Sequence, residues 1–358
     1  MTTAHSPARS RRRGLRALGT TIVAALAAAA LVACATAPGN AGTDPTSSSG
    51  AESAAFPVTL EHVFGNTTIT KRPERIVTLG WYSGDVVAAL GVVPVGNEDF
   101  TWGEVKGNLP WFADRVKELG GTLPELIRFT DAGEYDFESI LALEPDLILA
   151  VHSGIDEPTY KRLTEIAPTV AFKKSAWASE RDDLTRTVAA ALGQPEKAEP
   201  LLKASDDAIA AAAAAHPEFR GVTYTYGWYL AEGATSLDLY LPRDPRIQMT
   251  DQLGFTTSPQ VTAAESTTEN FYASISLEKL AEVTSDFHIG WADSQDEIDR
   301  TLNNPLVTRW APVAAGKTSF FFGDYRLAWA TTAPSVLSIP ATIDDIAVKL
   351  SADLGTGK

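Results

Sequence analysis

From Phe56 onward, short runs of β-branched and aliphatic residues alternate with stretches whose apolar positions recur at helical spacing, the pattern of an α/β protein with parallel-type sheets. Residues 75–79 read as a buried strand. Asp85 is placed to cap a helix through Leu90, Gly91 to stop it, and residues 92–95 to form the next strand. The same logic predicts a cap at Asp136, a short helix ended by Pro145, and a wholly apolar strand over 147–151. Residues 181–216 carry no strand signal: they are Ala-rich and helical, broken once at Gly193-Gln194-Pro195. After Pro217 the alternation resumes, with strands at 222–226, 287–289 and 318–322 and a last helix over 343–350. The body therefore reads as two α/β lobes, residues 56–180 and 217–358, joined by the helical connector 181–216.

The lobes echo each other. Phe137-Glu138-Ser139-Ile140-Leu141-Ala142 precedes Asp146 and a strand, and Leu277-Glu278-Lys279-Leu280-Ala281 precedes Asp286 and a strand at the same spacing. Gly80-Trp81-Tyr82 follows the first strand of one half, and Gly227-Trp228-Tyr229 the first strand of the other. Both echoes suggest equivalent elements facing each other.

Upstream, residues 10–16 are basic and residues 17–33 almost entirely apolar or small, the make-up of a bacterial export signal. The run ends in Leu31-Val32-Ala33-Cys34, which resembles the lipobox of bacterial lipoproteins, with cleavage before Cys34 and a diacylglycerol on its sulfur. The Ser-Arg-Arg-Arg start also resembles a twin-arginine signal, which leaves the export route open. Residues 34–55, rich in Ser, Thr, Gly, Ala and Pro, read as a flexible tether. The Ala-rich stretch is too short and weakly hydrophobic for a transmembrane anchor, so the expectation is an extracytoplasmic body held to the cell membrane by lipid alone.

Charge and cysteine content narrow the function classes. Asp and Glu total 45 against 30 Lys and Arg, a net charge of -15. Residues 1–33 hold five of the Arg and no acid, so the remainder carries 25 basic against 45 acidic residues, a formal -20. This argues against a nucleic-acid partner and against a basic membrane-binding patch. With one cysteine there is no intrachain disulfide, CxxC pair or Cys-rich zinc site.

Catalytic motifs fail when tested. Gly316-Lys317-Thr318 has Ala311 where a phosphate-binding loop needs its first glycine, and a strand rather than a helix follows. Gly80-Trp81-Tyr82-Ser83-Gly84 places its serine one position late for a nucleophile elbow. His5, His62, His152, His216 and His288 are scattered, with no spacing that seats a zinc ion. No catalytic residue, metal site or cofactor is assigned. Binding is better supported, because ligands of doubly wound sheets sit beyond the strand carboxyl ends. Trp81 and Tyr82, His152, Trp228 and Tyr229, Trp291, and Tyr325 with Arg326 all follow strands. Trp102, Arg128, Trp177 and Arg243 lie in loops that would line the same cleft.

Four segments in order, Lys71-Arg72-Pro73-Glu74-Arg75-Ile76-Val77, Asp85 with Ala88-Ala89-Leu90-Gly91-Val92 and Pro94-Val95-Gly96, Ile140-Leu141-Ala142-Leu143-Glu144-Pro145-Asp146-Leu147-Ile148, and Ile166-Ala167-Pro168-Thr169-Val170, resemble the iron-siderophore and cobalamin class of ABC-transporter substrate-binding proteins. In the second lobe the resemblance rests on residues 276–289 and Asn304-Pro305-Leu306. It implies two Rossmann-like lobes bridged by one long helix, a cleft that closes only slightly, and a monomer that delivers a ferric siderophore to an ABC permease. It also implies one glutamate per lobe engaging permease arginines, and Glu138 and Glu278 match those positions. Each acid also falls just past a capping residue, Asp136 or Ser276, in what reads as a first helical turn on the strand-carboxyl face, where the macrodipole favours acids as well. The resemblance admits cobalamin or haem as other cargo. A two-lobe extracytoplasmic hydrolase is disfavoured by the failed motifs, and in a scaffold lipoprotein the aromatic loops would be packing alone.

Overall fold

The computed structural model describes residues 55–100, 107–130, 132–332 and 334–355. The first lobe is built on a parallel five-stranded sheet. Its order is β5 (Glu125–Ile127), β4 (Gly96–Glu98), β3 (Ile76–Gly80), β6 (Leu147–His152), β7 (Thr169–Ala171). Every residue of β3 and β6 is buried, as expected for strands covered on both faces. Alternate residues feed two layers. Ile76, Leu147, Leu149 and Val151 pack under α1 (Ser83–Ala89) and α5 (Arg181–Ala191), whereas Val77, Leu79, Ile148 and Ala150 pack with Ile140 of α3 (Phe137–Ala142) and Leu163 of α4 (Glu157–Ile166). Full burial of each such side chain contributes about 1.5–3 kcal/mol. An antiparallel hairpin, β1 (Val58–His62) with β2 (Gly65–Ile69), lies at the start of the lobe.

The second sheet is mixed. Around β8 (Thr223–Trp228), the strands β12 (Phe287–Trp291) and β13 (Thr318–Phe321) continue in parallel, while β9 (Ser236–Tyr240) runs antiparallel both to β8 and to the edge strand β11 (Tyr272–Ser276); β10 (Thr256–Thr257) adds a short parallel pairing. The two-lobe α/β class expected from the sequence is observed, with the reversed strand β9 as a departure from all-parallel sheets.

The connector consists of α5 and α6 (Ala198–Ala215), separated by a 3-10 turn over Pro195–Lys197. At about 1.5 Å per residue α6 spans about 27 Å. Its first half gives Ala198 and Leu202 to the first-lobe core; its second half gives Ile209 and Ala212 to the core around Tyr224, Tyr226 and Phe287. A second crossing is made by contact. Residues between α11 (Tyr325–Thr332) and α12 (Ser338–Leu354) reach back, so that Val336 joins the first-lobe core.

The repeated Asp has a structural role. Asp146 accepts hydrogen bonds from Glu74 N at 2.9 Å and Arg75 N at 2.8 Å, and Asp286 accepts one from Thr223 N at 3.0 Å. Each carboxylate at the start of one strand holds the entry to its parallel neighbour.

Three local expectations are corrected. Residues 92–95 are not a strand, because Val92 N donates to Val87 O and Gly91 N to Ala88 O, a Schellman cap with Gly91 at φ 89. Pro94 then offers no N–H, and pairing starts at Gly96. Asp85 does not cap α1; it is the third helical residue and its buried carboxylate is used elsewhere. Glu278 is not in an α-helix but in a turn that leads into a 3-10 helix over Leu280–Glu282. The ten residues between β11 and β12 must cross β9 and β8, and turns with i→i+3 bonds rise faster per residue than an α-helix, at ~2.0 against ~1.5 Å.

Candidate functional site

The end of β3 builds the first wall. The β3–β6 register shifts between Thr78 and Gly80, and a Cβ on Gly80 would stand 2.1 Å from the His152 carbonyl oxygen, so only glycine fits. The next turn is tighter still: Ser83 N donates to Trp81 O at 2.9 Å around Tyr82, whose φ is 71. This is a γ-turn of the rare form, and a positive φ at a bulky residue costs roughly 1–3 kcal/mol. Of the three non-glycine residues with positive φ among those described, Tyr82 and Trp177 stand at this wall. The turn leaves Trp81 half-buried while Tyr82 is buried, its hydroxyl donating to Thr332 O at 3.2 Å.

Trp81 lies 4.9 Å from Trp177 and 6.1 Å from the His152 ring. Gly154 lets Trp177 approach, since a Cβ there would sit 2.3 Å from the indole nitrogen. Burial, and next the Arg246 charge, bring the His152 pKa down to about 3, so its ring is neutral. Its Nδ1 has no hydrogen-bond partner. Beneath the wall Glu98 accepts from Gly80 N at 2.5 Å and from the Tyr135 hydroxyl at 2.8 Å, and burial raises its pKa.

The second wall is built on β8 and β12, whose register sets Trp228 beside Trp291. Trp291 Nε1 donates to the Tyr240 hydroxyl at 2.7 Å, Trp228 packs on Tyr240 at 5.3 Å, and Tyr229 meets Trp291 edge-on at 5.9 Å. Asp244 caps α7 (Pro245–Gln252) by accepting from Arg246 N, and its other oxygen binds Arg246 Nη1 at 2.6 Å. The buried Arg246 guanidinium lies 4.2 Å from the Tyr240 ring and 5.9 Å from Trp81. From α11, Trp329 meets Trp81 at 5.6 Å and Phe100 at 5.1 Å. Rings and one arginine from both lobes thus share one locus, suited to apolar contact and hydrogen bonding. No group of three or more His, Cys, Asp or Glu able to hold a metal occurs among the described residues.

A family model described as periplasmic binding protein matches residues 76–318. The chain belongs to this family. It is 27% identical over 270 residues to the Fe(3+)-citrate-binding protein YfmC of Bacillus subtilis (strain 168), covering 74% of this chain and 77% of that protein. To the Fe(3+) dicitrate-binding periplasmic protein FecB of Escherichia coli (strain K12) it is 33% identical over 122 residues, 33% of this chain and 36% of that one. Among solved structures, the iron uptake ABC transporter substrate-binding protein PiaA from Streptococcus pneumoniae TIGR4 is similar at 30% identity and TM-score 0.74, over 84% of this chain and 100% of that chain. PiaA in complex with ferrichrome gives 29% identity and a TM-score of 0.75, again over 84% and 100%. Members of this family are extracytoplasmic substrate-binding components of transport.

In this binding protein the structure brings together Trp81, Tyr82, His152, Trp177, Trp228, Tyr229 and Trp291. Tyr325 packs against the same core cluster as Trp228, one that includes Trp329. Three arginines are committed to other partners. Arg128, with its side chain 67% exposed, pairs with Asp99 at 2.7 Å; Arg243 bonds the Glu265 carboxylate at 3.2 Å; Arg326 turns onto α12 and binds Asp345 at 2.5 Å. Trp102 and Cys34 lie outside the described residues. Sequence reasoning missed Arg246, Tyr240, Trp329 and Phe100. The stretch Leu241-Pro242-Arg243-Asp244-Pro245-Arg246 did mark a helix start, but only packing chooses which of its arginines turns inward. Glu138 and Glu278 are both exposed on their lobes. A separate cavity of about 520 Å³ lies against the connector, lined by Arg181, Asp206, Pro245, Met249, Pro334 and Ile339 among others, and none of the rings above lines it.

Proposed function

We propose that this protein captures a ferric siderophore outside the membrane and presents it to an ABC permease. The observation that carries the reading is that Trp177 and Trp329 meet Trp81, Trp228 and Trp291 meet Tyr240, and the Arg246 guanidinium lies 5.9 Å from the Trp81 ring and 4.2 Å from the Tyr240 ring, linking the two groups. PiaA in complex with ferrichrome and the Fe(3+)-citrate-binding YfmC support the ligand class. The chelator's oxygens wrap the iron completely, so the protein contacts the organic shell and needs no ligand of its own for the metal. The indoles press flat on that shell and the arginine donates to its outward oxygens. Glu138 and Glu278 dock the permease as exposed carboxylates meeting arginines, and the protein acts as a monomer without catalysing a covalent step. Cys34 carries the lipid that keeps it at the membrane, with residues 1–33 as the export signal and 34–55 as the tether.

Quenching of tryptophan fluorescence tests the reading: a ferric chelate should bind tightly and its iron-free form much more weakly. Trp81→Ala should weaken binding about tenfold to a hundredfold with the fold retained, because a half-buried ring at the centre of a site contributes about 2 kcal/mol or more. Failure of hydroxamate, catecholate and citrate chelates alike to bind would reject the proposal.

A further inference from the structure

His62 belongs to no catalytic or metal-binding group, yet it is buried at the turn of the β1–β2 hairpin with both ring nitrogens engaged. Nδ1 accepts from Phe64 N at 3.3 Å, and Nε2 lies 2.9 Å from Thr67 Oγ1. The Thr67 hydroxyl has a single hydrogen, which it donates to Thr169 O at 2.6 Å, so toward the imidazole it can only accept. The ring is therefore the neutral tautomer with its hydrogen on Nε2.

The residues this ring touches are also the ones that fasten the hairpin to the first lobe. Thr67 reaches Thr169 of β7, and Val63 N donates to Phe172 O, just past β7, at 2.9 Å. Between them the Phe64 ring packs 5.0 Å from Tyr160 of α4 and 5.8 Å from Phe172. Because β1 pairs with β2 and with no strand of the larger sheet, the hairpin is held by these bonds and by side-chain packing rather than by a shared ladder.

A second proton has one place to go. On Nδ1 it faces the Phe64 N–H, donor against donor, so the turn loses its acceptor and the ring gains a buried charge. No carboxylate stands by to offset that charge. Glu61, next to it on β1, is exposed, as are the charged residues of α4, Glu157, Lys161, Arg162 and Glu165; β2 and β7 carry no charged side chain, and Lys173 past β7 pairs with Asp183 at 3.4 Å. The Tyr160 hydroxyl, 3.4 Å from Nε2, is the titratable group in contact. Burial alone holds the His62 pKa below its ordinary 6.5, so the folded hairpin resists the proton that the freed ring accepts. We infer that the β1–β2 hairpin is an acid-released latch: protonation of His62 breaks the turn, frees it from Phe172 and Thr169, and loosens the hairpin while the rest of the first lobe stays folded. The latch is independent of which ligand the cleft takes.

The test is amide hydrogen exchange of the whole protein at about pH 7.5 and about pH 5, each corrected for the intrinsic exchange rate at that pH. The opening equilibrium of residues 58–69 should rise at least about fivefold on acidification, up to a limit of about 30-fold set by an unperturbed histidine pKa of 6.5. In His62→Asn the side-chain oxygen can still accept from Phe64 N but cannot take up a proton in this range, so the acid response of the hairpin should fall below about twofold. A smaller rise in the wild type, or the same rise in His62→Asn, would overturn the inference. Should that variant not fold, nuclear magnetic resonance of the wild type decides: the hairpin amides should shift or broaden along with the His62 ring protons, and a ring that titrates while those amides stay fixed would overturn the latch.

Discussion

Asp85 is the carboxylate whose surroundings depart furthest from what its sequence position suggests. Expected as a helix cap, it is buried and joins three segments, accepting from Trp111 Nε1 of α2 (Pro110–Glu118) at 2.7 Å and from Ser335 Oγ, ahead of α12, at 2.5 Å. Burial raises its pKa to about 6, and the two hydrogen bonds offset only part of that effect. The folded protein therefore holds the proton more tightly than the unfolded chain. Between pH ~4 and ~6 the native state binds more protons than the unfolded one, so stability from this group is complete below pH ~4 and lost as pH rises through 6. Asp85→Asn keeps an acceptor for Trp111 without the charge. Relative to wild type it should gain on the order of 2 kcal/mol between pH 4.5 and 7.5, read from urea midpoints at the two pH values. An identical difference at both pH values would show that Asp85 is not a buried titrating group.

Among the elements, α6 has the clearest mechanical task, because one helix is embedded in two cores. Ala198 and Leu202 anchor one end, Ile209 and Ala212 the other, and exposed Ala204 lies between. A single helix bends far less readily than a pair of extended strands, so the lobes should move little against each other. Ala204→Pro removes one helical hydrogen bond and clashes with the preceding turn, at about 3 kcal/mol or more, without touching either core. The expected result is a lower thermal midpoint and a larger radius of gyration by small-angle scattering, with weaker ligand binding as the two walls lose register. Ala204→Gly, which costs about 1 kcal/mol and keeps the helix, should leave the radius unchanged.

For the whole molecule the distribution of acids matters more than their number. A net charge of -15 offers the membrane and its anionic lipids no attraction, so contact with a permease depends on particular carboxylates. Glu138 lies in the first turn of α3, and Glu278 on the turn after β11; both are exposed. Glu138→Arg together with Glu278→Arg should leave chelate affinity within about twofold while abolishing uptake of radiolabelled iron by cells that depend on this protein. Uptake at the wild-type rate would remove both residues from the docking role.

The elements with local causes were legible in the chain: strands β3, β6, β8, β12 and β13 from their apolar runs, the Asp136 cap, the Gly91 stop, and the helical connector with its break at Pro195. The paired Asp146 and Asp286 and the two Gly-Trp-Tyr segments were visible as repeats because each lobe sets an acid where one strand begins and Gly-Trp where another ends. What was invisible depends on neighbours remote in the chain. The reversed strand β9 takes its direction from pairing with β8 and β11, the Glu278 segment becomes a 3-10 turn because of the distance it must cross, and Asp85 is claimed by Trp111 and Ser335. Arg243 and Arg246 have the same side chain three positions apart, yet the one before α7 bonds Glu265 and the one within it is buried against Tyr240. Spacing along a chain reports which side chains share a face of one element, but the partner that a buried charge finds is set by which elements pack together.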